Sequence, residues 1–320
     1  MTIEGTTEGT TDHTTTDDLV ARVLDEGFLA GDPFPDLARL RAEAPVARHA
    51  DVTAASRDPQ TYCSGKGILL MEIGAAYDTP PTMMHTDPPA HTRYRTLVSP
   101  GFRPSVVRSL EPSVRATAAT RRADPQDDVI SLLATVAVDG DTLDDTELAM
   151  FLVQLLVAGN ETTRNALSGG LVAFSERPDQ WAQLRSEPSL VAAAVDEVLR
   201  WTTPVVYFMR TTTREVTIGD VTLPADTPVV LHYLAANRDE AEFGPSAGEF
   251  HIARDPNHHV AFGSGPHFCL GAALARIELR AMLDALATRF SSIAPAGPVE
   301  RSMSLVIAGV RSAPLVLTEP

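Results

Sequence analysis

The chain has 320 residues, 44% of them hydrophobic and 21% charged, with a formal net charge of -16. That is globular composition, and an acidic field of this size disfavours nucleic acid or an anionic membrane as the main partner. Two cysteines, Cys63 and Cys269, leave no disulfide framework to expect and point to a reducing cytoplasm.

Residues 1–17 are Thr-rich and acidic, without the basic start and apolar centre of a signal peptide, and predict a disordered tail. Residues 18–320 read as one domain. Helix is predicted over 18–44 on Leu19, Val20, Val23, Leu24, Leu37 and Leu40, interrupted by Pro33 and Pro35. A short helix is expected over 51–57, and loop from Cys63 to Pro89, where glycine and proline recur. Helices are expected to start near Ala90 and again after Pro104.

The longest helical pattern runs from Asp144 to about Ser175. Leu148, Phe151, Leu152, Leu155, Leu156 and Gly159 share one face. Val153 to Gly159 is apolar on nearly every side, which predicts a helix buried all round. Another amphipathic helix is predicted over 188–201. The period then changes: β-branched runs over 205–232, broken at Gly219-Asp220 and Pro224-Ala225-Asp226, predict short strands. An irregular passage is expected over 236–268, then a helix from Cys269 to about Phe290 and strands between Met303 and Thr318. No apolar run is long enough to span a bilayer. The fold class is mainly α with small β-sheets.

The segment Phe262-Gly263-Ser264-Gly265-Pro266-His267-Phe268-Cys269-Leu270-Gly271 carries the chemistry. Glycine lets backbone approach a large flat ligand and reach positive φ. A cysteine at a helix start meets unpaired N–H groups and the helix dipole, which favour a thiolate, and a thiolate is what an iron ligand must be. Two other readings stand beside this one. An inert buried cysteine fits a tight turn. A zinc site from His258, His259, His267 and Cys269 lacks a second cysteine and the usual ligand spacing.

The segment resembles the haem-binding loop of the cytochrome P450 family, Phe-x-x-Gly-x-x-x-Cys-x-Gly, with Phe262, Gly265, Cys269 and Gly271 at the fixed positions. The resemblance implies haem b with Cys269 as the iron ligand, in an arrangement that pushes electron density towards O–O cleavage. Glu197 and Arg200 stand where the family has Glu-x-x-Arg, and Arg254 is the candidate for the arginine that completes this structural pin. Pro245 to Phe250 is longer than the family's usual Pro-x-x-Phe.

Ala158-Gly159-Asn160-Glu161-Thr162-Thr163 resembles the family's motif over the distal haem face. There Gly159 leaves room for dioxygen, Thr162 hydrogen-bonds oxygen and Glu161 relays protons, which is general acid work. A kink in a buried helix is the plainer reading. His91 and Arg95, at i and i+4, match the family's propionate contacts, as do Arg210 and His267. By resemblance the pocket is lined by Leu155, Ala158, Pro204, Val205, Val206 and Ile307.

Family members are longer. The shortfall falls between the helix after Pro104 and residues 121–128, where lid helices belong, and near Ala44 to Asp51, where a strand pair belongs. The resemblance thus implies an internally shortened fold with an open distal pocket and an apolar patch that a homodimer or another partner would cover. It also implies a monooxygenase that inserts one atom of O2 into an apolar small molecule, a sterol or branched lipid by the wording around residues 159–166 and 204–210. No G-x-G-x-x-G opens a helix after a strand, so electrons come from a separate ferredoxin or flavoprotein. Peroxide-driven turnover, a haem-binding protein without turnover and a remnant without haem remain as alternatives.

Overall fold

The computed structural model describes Leu19, Arg22, Val23, Asp25 and residues 28–30, 33–43, 47–73, 82–98, 145–302 and 304–320. The tail over 1–17, the helix expected after Pro104 and the passage over 121–128 lie outside the described residues.

Leu19, Arg22 and Val23 are helical and a single turn covers Phe28–Ala30. Helix α1 (Phe34–Glu43) buries Leu37 and Leu40, one turn apart. Helix α2 begins at His49 and ends at Arg57, two residues earlier than expected. Only residues 44–48 separate α1 from α2, too short a connection for a strand pair. Strand β1 (Tyr62–Cys63) ends at the first residue of the expected loop. Helix α3 (Ala90–Val98) starts after the Pro88-Pro89 pair.

Helix α4 (Asp145–Ser175) is the long central helix. Its middle is not buried all round: the small and polar residues Ala158, Gly159, Asn160 and Glu161 are exposed. Helix α5 (Pro178–Ser186) was not expected. It has Pro178 in its first turn and Asp179 beside the positive end of the dipole, and it buries Trp181 and Leu184 at i and i+3. Helix α6 (Val191–Thr202) closes on Thr203, whose left-handed φ of 38° lets its N–H reach Leu199 O. Cβ atoms added at Gly169 and Gly170 would come within 2.7 and 2.8 Å of Thr202 and Val198, so these two glycines set how closely α4 approaches α6.

Strand β2 (Tyr207–Thr212) follows. The hairpin of β3 (Val216–Ile218) and β4 (Val221–Leu223) comes next, then β5 (Pro228–His232). β2 pairs antiparallel with β1 on one side and β5 on the other, with Arg210 opposite Val229. The passage after it is not wholly irregular: it holds the short helices α7 (Tyr233–Ala236) and α8 (Glu240–Phe243), capped by His232 and Asp239. Helix α9 runs over Ala272–Arg289, not from Cys269, because Gly271 is its N-cap. The chain ends in β6 (Ser292–Pro295), β7 (Glu300–Arg301), β8 (Val310–Ser312) and β9 (Leu315–Thr318), paired β6 with β9 and β7 with β8.

The main core joins α4, α5, α6 and α9 through Phe174, Trp181, Leu184, Val195, Val198, Leu199, Leu279 and Leu283. Each such side chain contributes about 1.5–3 kcal/mol by burial. A second cluster packs Leu19, Leu37 and Leu40 on Val206, Tyr207 and Met209. A third sets Val52 and Ala55 of α2 against Val229, Leu231 and Val260. Together they hold α2, β2 and the start of α9 around the cysteine turn.

Candidate active site

The turn before α9 is fixed by its backbone. Gly263 and Gly265 have φ of 69° and 70°, a region that favours glycine. A Cβ at Gly265 would also stand 2.3 Å from Ser56 O on α2, so the turn and α2 touch backbone to backbone. Cys269 N donates to Phe262 O at 2.9 Å, closing the loop on itself. Gly271 has neither need: its φ is -83°, and no described atom lies within 4 Å of an added Cβ.

Cys269 is half-buried. Burial raises its thiol pKa; the N–H groups of Gly271 and Ala272 and the guanidinium groups of Arg95 and Arg276 pull the other way without cancelling it. The N–H groups at the start of α9 therefore favour the thiolate, but α9 begins three residues after Cys269 and burial prevails. A metal ion at the sulfur reverses that balance, because a coordinating thiol is deprotonated outright.

The four residues expected to meet the propionates converge. The rings of His91 and His267 meet at a tilt of 42° with centroids 4.1 Å apart. Arg95 donates to Phe268 O at 2.7 Å, beside the cysteine. Arg210 is buried on β2 and gives one N–H to Met209 O. The His267 pKa falls to about 3, through burial first and then Arg210, His91 and Arg95. His91 is lowered by burial and Arg95, with Asp87 opposing. His91 Nε2 is buried without a hydrogen-bond partner. A site that sets two guanidinium groups beside two neutral imidazoles, one with a buried ring nitrogen unpaired, is chemically suited to a dianionic group, and the two carboxylates of haem fit it.

Glu197, Arg200 and Arg254 also meet. Arg200 holds Glu197 through two N–H groups, each at 2.8 Å, and Arg254 Nε adds a third contact at 3.1 Å. The remaining donors of Arg200 reach the carbonyls of Asn237, Ala247 and Glu249. Those of Arg254 reach Phe243, Ser246 and Glu249.

On α4, Thr162 Oγ1 donates to Ala158 O at 2.8 Å, which leaves an oxygen lone pair free. Glu161 is exposed, 3.6 Å from Arg164. Gly159 has no described atom within 4 Å of an added Cβ. Val205 bridges Ile307 and Pro204 O accepts from Ala308 N, so these lining residues cluster; Leu155 is partly buried and Ala158 exposed. Val206 is 1% exposed and packs beside Tyr207 in the second core cluster, so it does not join Val205 and Ile307 at the expected lining.

The sequence reading missed several residues that shape the site. Asp87 accepts from the N–H groups of Ser64 and Gly65 at 2.7 and 2.8 Å. Ser64 Oγ lies 3.2 Å from His267 Nε2. Asn257 and His251 N donate to Glu197, and Asp196 links His259 to Arg276. Only Asp87, directly before Pro88-Pro89, carries a local turn signal.

A cysteine presented by a glycine turn ahead of a long helix, with Arg95 beside it in a mainly helical fold, is the arrangement that a haem-thiolate protein requires. The chain belongs to the cytochrome P450 family, whose model matches residues 105–316. It is 34% identical to Cytochrome P450 130 of Mycobacterium tuberculosis over 327 residues, covering 76% of this chain and 80% of the relative. That alignment is longer than this 320-residue chain, so some positions of the relative have no counterpart here.

The chain is also 41% identical over 212 residues to a Steroid C26-monooxygenase of M. tuberculosis, covering 64% of this chain and 55% of that protein. A Methyl-branched lipid omega-hydroxylase of Mycobacterium bovis is 41% identical over 202 residues, with 62% and 47% covered. Among solved structures, Cytochrome P450 CYP109Q5 from Chondromyces apiculatus superposes with a TM-score of 0.81 at 29% identity, covering 93% of this chain and 98% of that one. No helix among the described residues is long and apolar enough to cross a membrane.

Proposed function

We propose that this chain, as one domain over residues 18–320, binds haem b through the Cys269 thiolate and hydroxylates an apolar small molecule of the sterol or branched-lipid class. The observation that carries the reading is the juxtaposition of Cys269 with His91, Arg95, Arg210 and His267 across the glycine turn. Haem, when bound, supplies activation of O2, so that one oxygen atom enters a C–H bond and the other leaves as water. His91, Arg95, Arg210 and His267 hold the propionates. Phe262 and Gly265 shape the turn, Gly271 caps the helix that follows it, and Glu197, Arg200 and Arg254 pin the chain behind it.

Thr162 offers a hydroxyl on the distal side and Glu161 exchanges protons with solvent. Leu155, Ala158, Pro204, Val205 and Ile307 line the apolar side. The substrate class rests on the names of the two hydroxylase relatives. Electrons come from a separate ferredoxin or flavoprotein.

The test is the carbon monoxide difference spectrum of the reduced, haem-supplied protein, with Cys269→Ala beside it. A long-wavelength Soret band lost in the variant is expected. A short-wavelength band, or none, in the unaltered chain sinks the reading. A second reading, haem binding without turnover, is favoured by the positions of the relative that have no counterpart here. Product from a sterol or branched fatty acid, with reductase and O2 or with peroxide, decides between the two.

A further inference from the structure

Asp196 precedes Glu197 on α6, but its side chain leaves the buried pin. Its Oδ1 accepts from Arg276 Nε at 2.8 Å and meets His259 Nε2 at 3.3 Å. Ala261 N donates to His259 Nδ1 at 3.3 Å, which places the imidazole proton on Nε2, towards Asp196. Burial alone would raise the Asp196 pKa, yet the hydrogen bonds from His259 and Arg276 hold it below the usual range, so it is an anion.

Both partners bear on the cysteine turn. Arg276 lies on α9, the helix that follows Cys269, and its guanidinium sits 4.7 Å from the centroid of the Phe262 ring. The His259 ring is 5.7 Å from the same ring. Phe262 O accepts from Cys269 N. One carboxylate thus holds a cation and an imidazole against the residue whose carbonyl holds the cysteine.

Asp196 and Arg276 are both 34% exposed, and an ion pair in that setting is worth little to stability. The consequence lies at the sulfur, where the positive charge of Arg276 favours thiolate, while Asp196 holds the opposite charge 2.8 Å from the same guanidinium. We propose that the Asp196–Arg276 pair, braced by His259, sets the net charge felt at the Cys269 sulfur and so tunes the reduction potential of the group that the sulfur ligates. Asp196 is then a positioning residue, acting through Arg276. This rests on the haem-thiolate reading above.

The test is the ferric–ferrous midpoint potential of the haem-loaded protein, measured with the carbon monoxide spectrum of each variant. Arg276→Gln removes a cation and shifts the potential to a more negative value. Arg276→Lys keeps the charge and stays close to the parent. Asp196→Asn leaves the cation without its offset and shifts the potential to a more positive value. The double variant returns towards the parent, because both charges are gone. With the long-wavelength band intact, unchanged potentials or shifts of one sign in the two single variants overturn the proposal and leave the haem-thiolate reading standing. Loss of that band in the single variants marks a purely structural role and also overturns it. Absence of the band in the parent overturns both.

Discussion

Glu197 and Arg200, one turn apart on α6, are completely buried and face each other through two parallel hydrogen bonds of 2.8 Å. A buried ion pair repays its desolvation only when the remaining donors and lone pairs are satisfied. Here they are satisfied by Arg254, Asn257, His251 N and three backbone carbonyls drawn from residues 237–249. The pair therefore ties the passage before the cysteine turn to α6. Arg200→Ala strands a buried carboxylate and is expected to cost about 3–5 kcal/mol. Arg200→Lys also fails, because one ammonium cannot reach Glu197 and three carbonyls in a planar fork. Urea denaturation measures both; a loss below about 1 kcal/mol in the alanine variant would remove the pin from this account.

Gly265→Ala puts a methyl group 2.3 Å from Ser56 O at a φ of 70°. Strain in that region costs about 1–3 kcal/mol, and the steric overlap with backbone adds to it. The expected result is lowered stability together with a fall in the long-wavelength carbon monoxide band. Gly271→Ala, which meets no described atom and has an ordinary φ, is expected to melt like the parent. If the two variants melt alike, contact between α2 and the turn does not govern the site.

How much of this was legible depended on distance along the chain. Phe262, Gly265, Cys269 and Gly271 fall within ten residues, and residue identity alone marks such a turn. Glu197 and Arg200 are helix neighbours, and Arg254 was placed by the order of segments rather than by any property of its own. Asp196, His259 and Arg276 were not legible, because 63 and 80 residues separate Asp196 from its partners and only the packing of α6 on α9 joins them. The start of α9 was misplaced because an N-cap glycine is hard to tell from a glycine serving a ligand. Ala158 and Gly159, which the apolar pattern put in the interior, are exposed for a different reason. Apolar periodicity reports which face is greasy, not whether the chain supplies enough neighbours to cover it.

His232 gives a pH dependence separate from the cysteine site. It is buried, its Nδ1 accepts from Ala235 N at the start of α7, and burial pushes its pKa down to about 4. In the unfolded chain the same group titrates near 6.5, its ordinary value. Between those values the unfolded state binds the extra proton, so the contribution is intact above about 6.5 and is lost as pH falls towards 4. The slope is about 1.4 kcal/mol per pH unit in that window. His232→Asn keeps an N-cap acceptor without the titration. Urea midpoints at pH 7 and pH 5 are expected to differ less in this variant than in the parent; equal differences refute the assignment.

Arg95 and His91 are one turn apart on α3 and reach the same place from one helix face. Such a face presents its groups together, so the two residues act on one ligand or on none. Hydrogen bonds to a charged partner contribute about 1.5–3 kcal/mol, so losing one donor is expected to speed haem loss about 10- to 100-fold. Arg95→Gln and His91→Leu are the variants, and transfer of haem to an excess of apomyoglobin is the measurement. Arg289→Gln, an exposed arginine paired with Glu319 at the far end of α9, is the control and is expected to lose haem at the parent rate. Parent-like rates in both α3 variants would detach this helix from the propionates and leave the guanidinium groups beside Cys269 without a ligand to explain them.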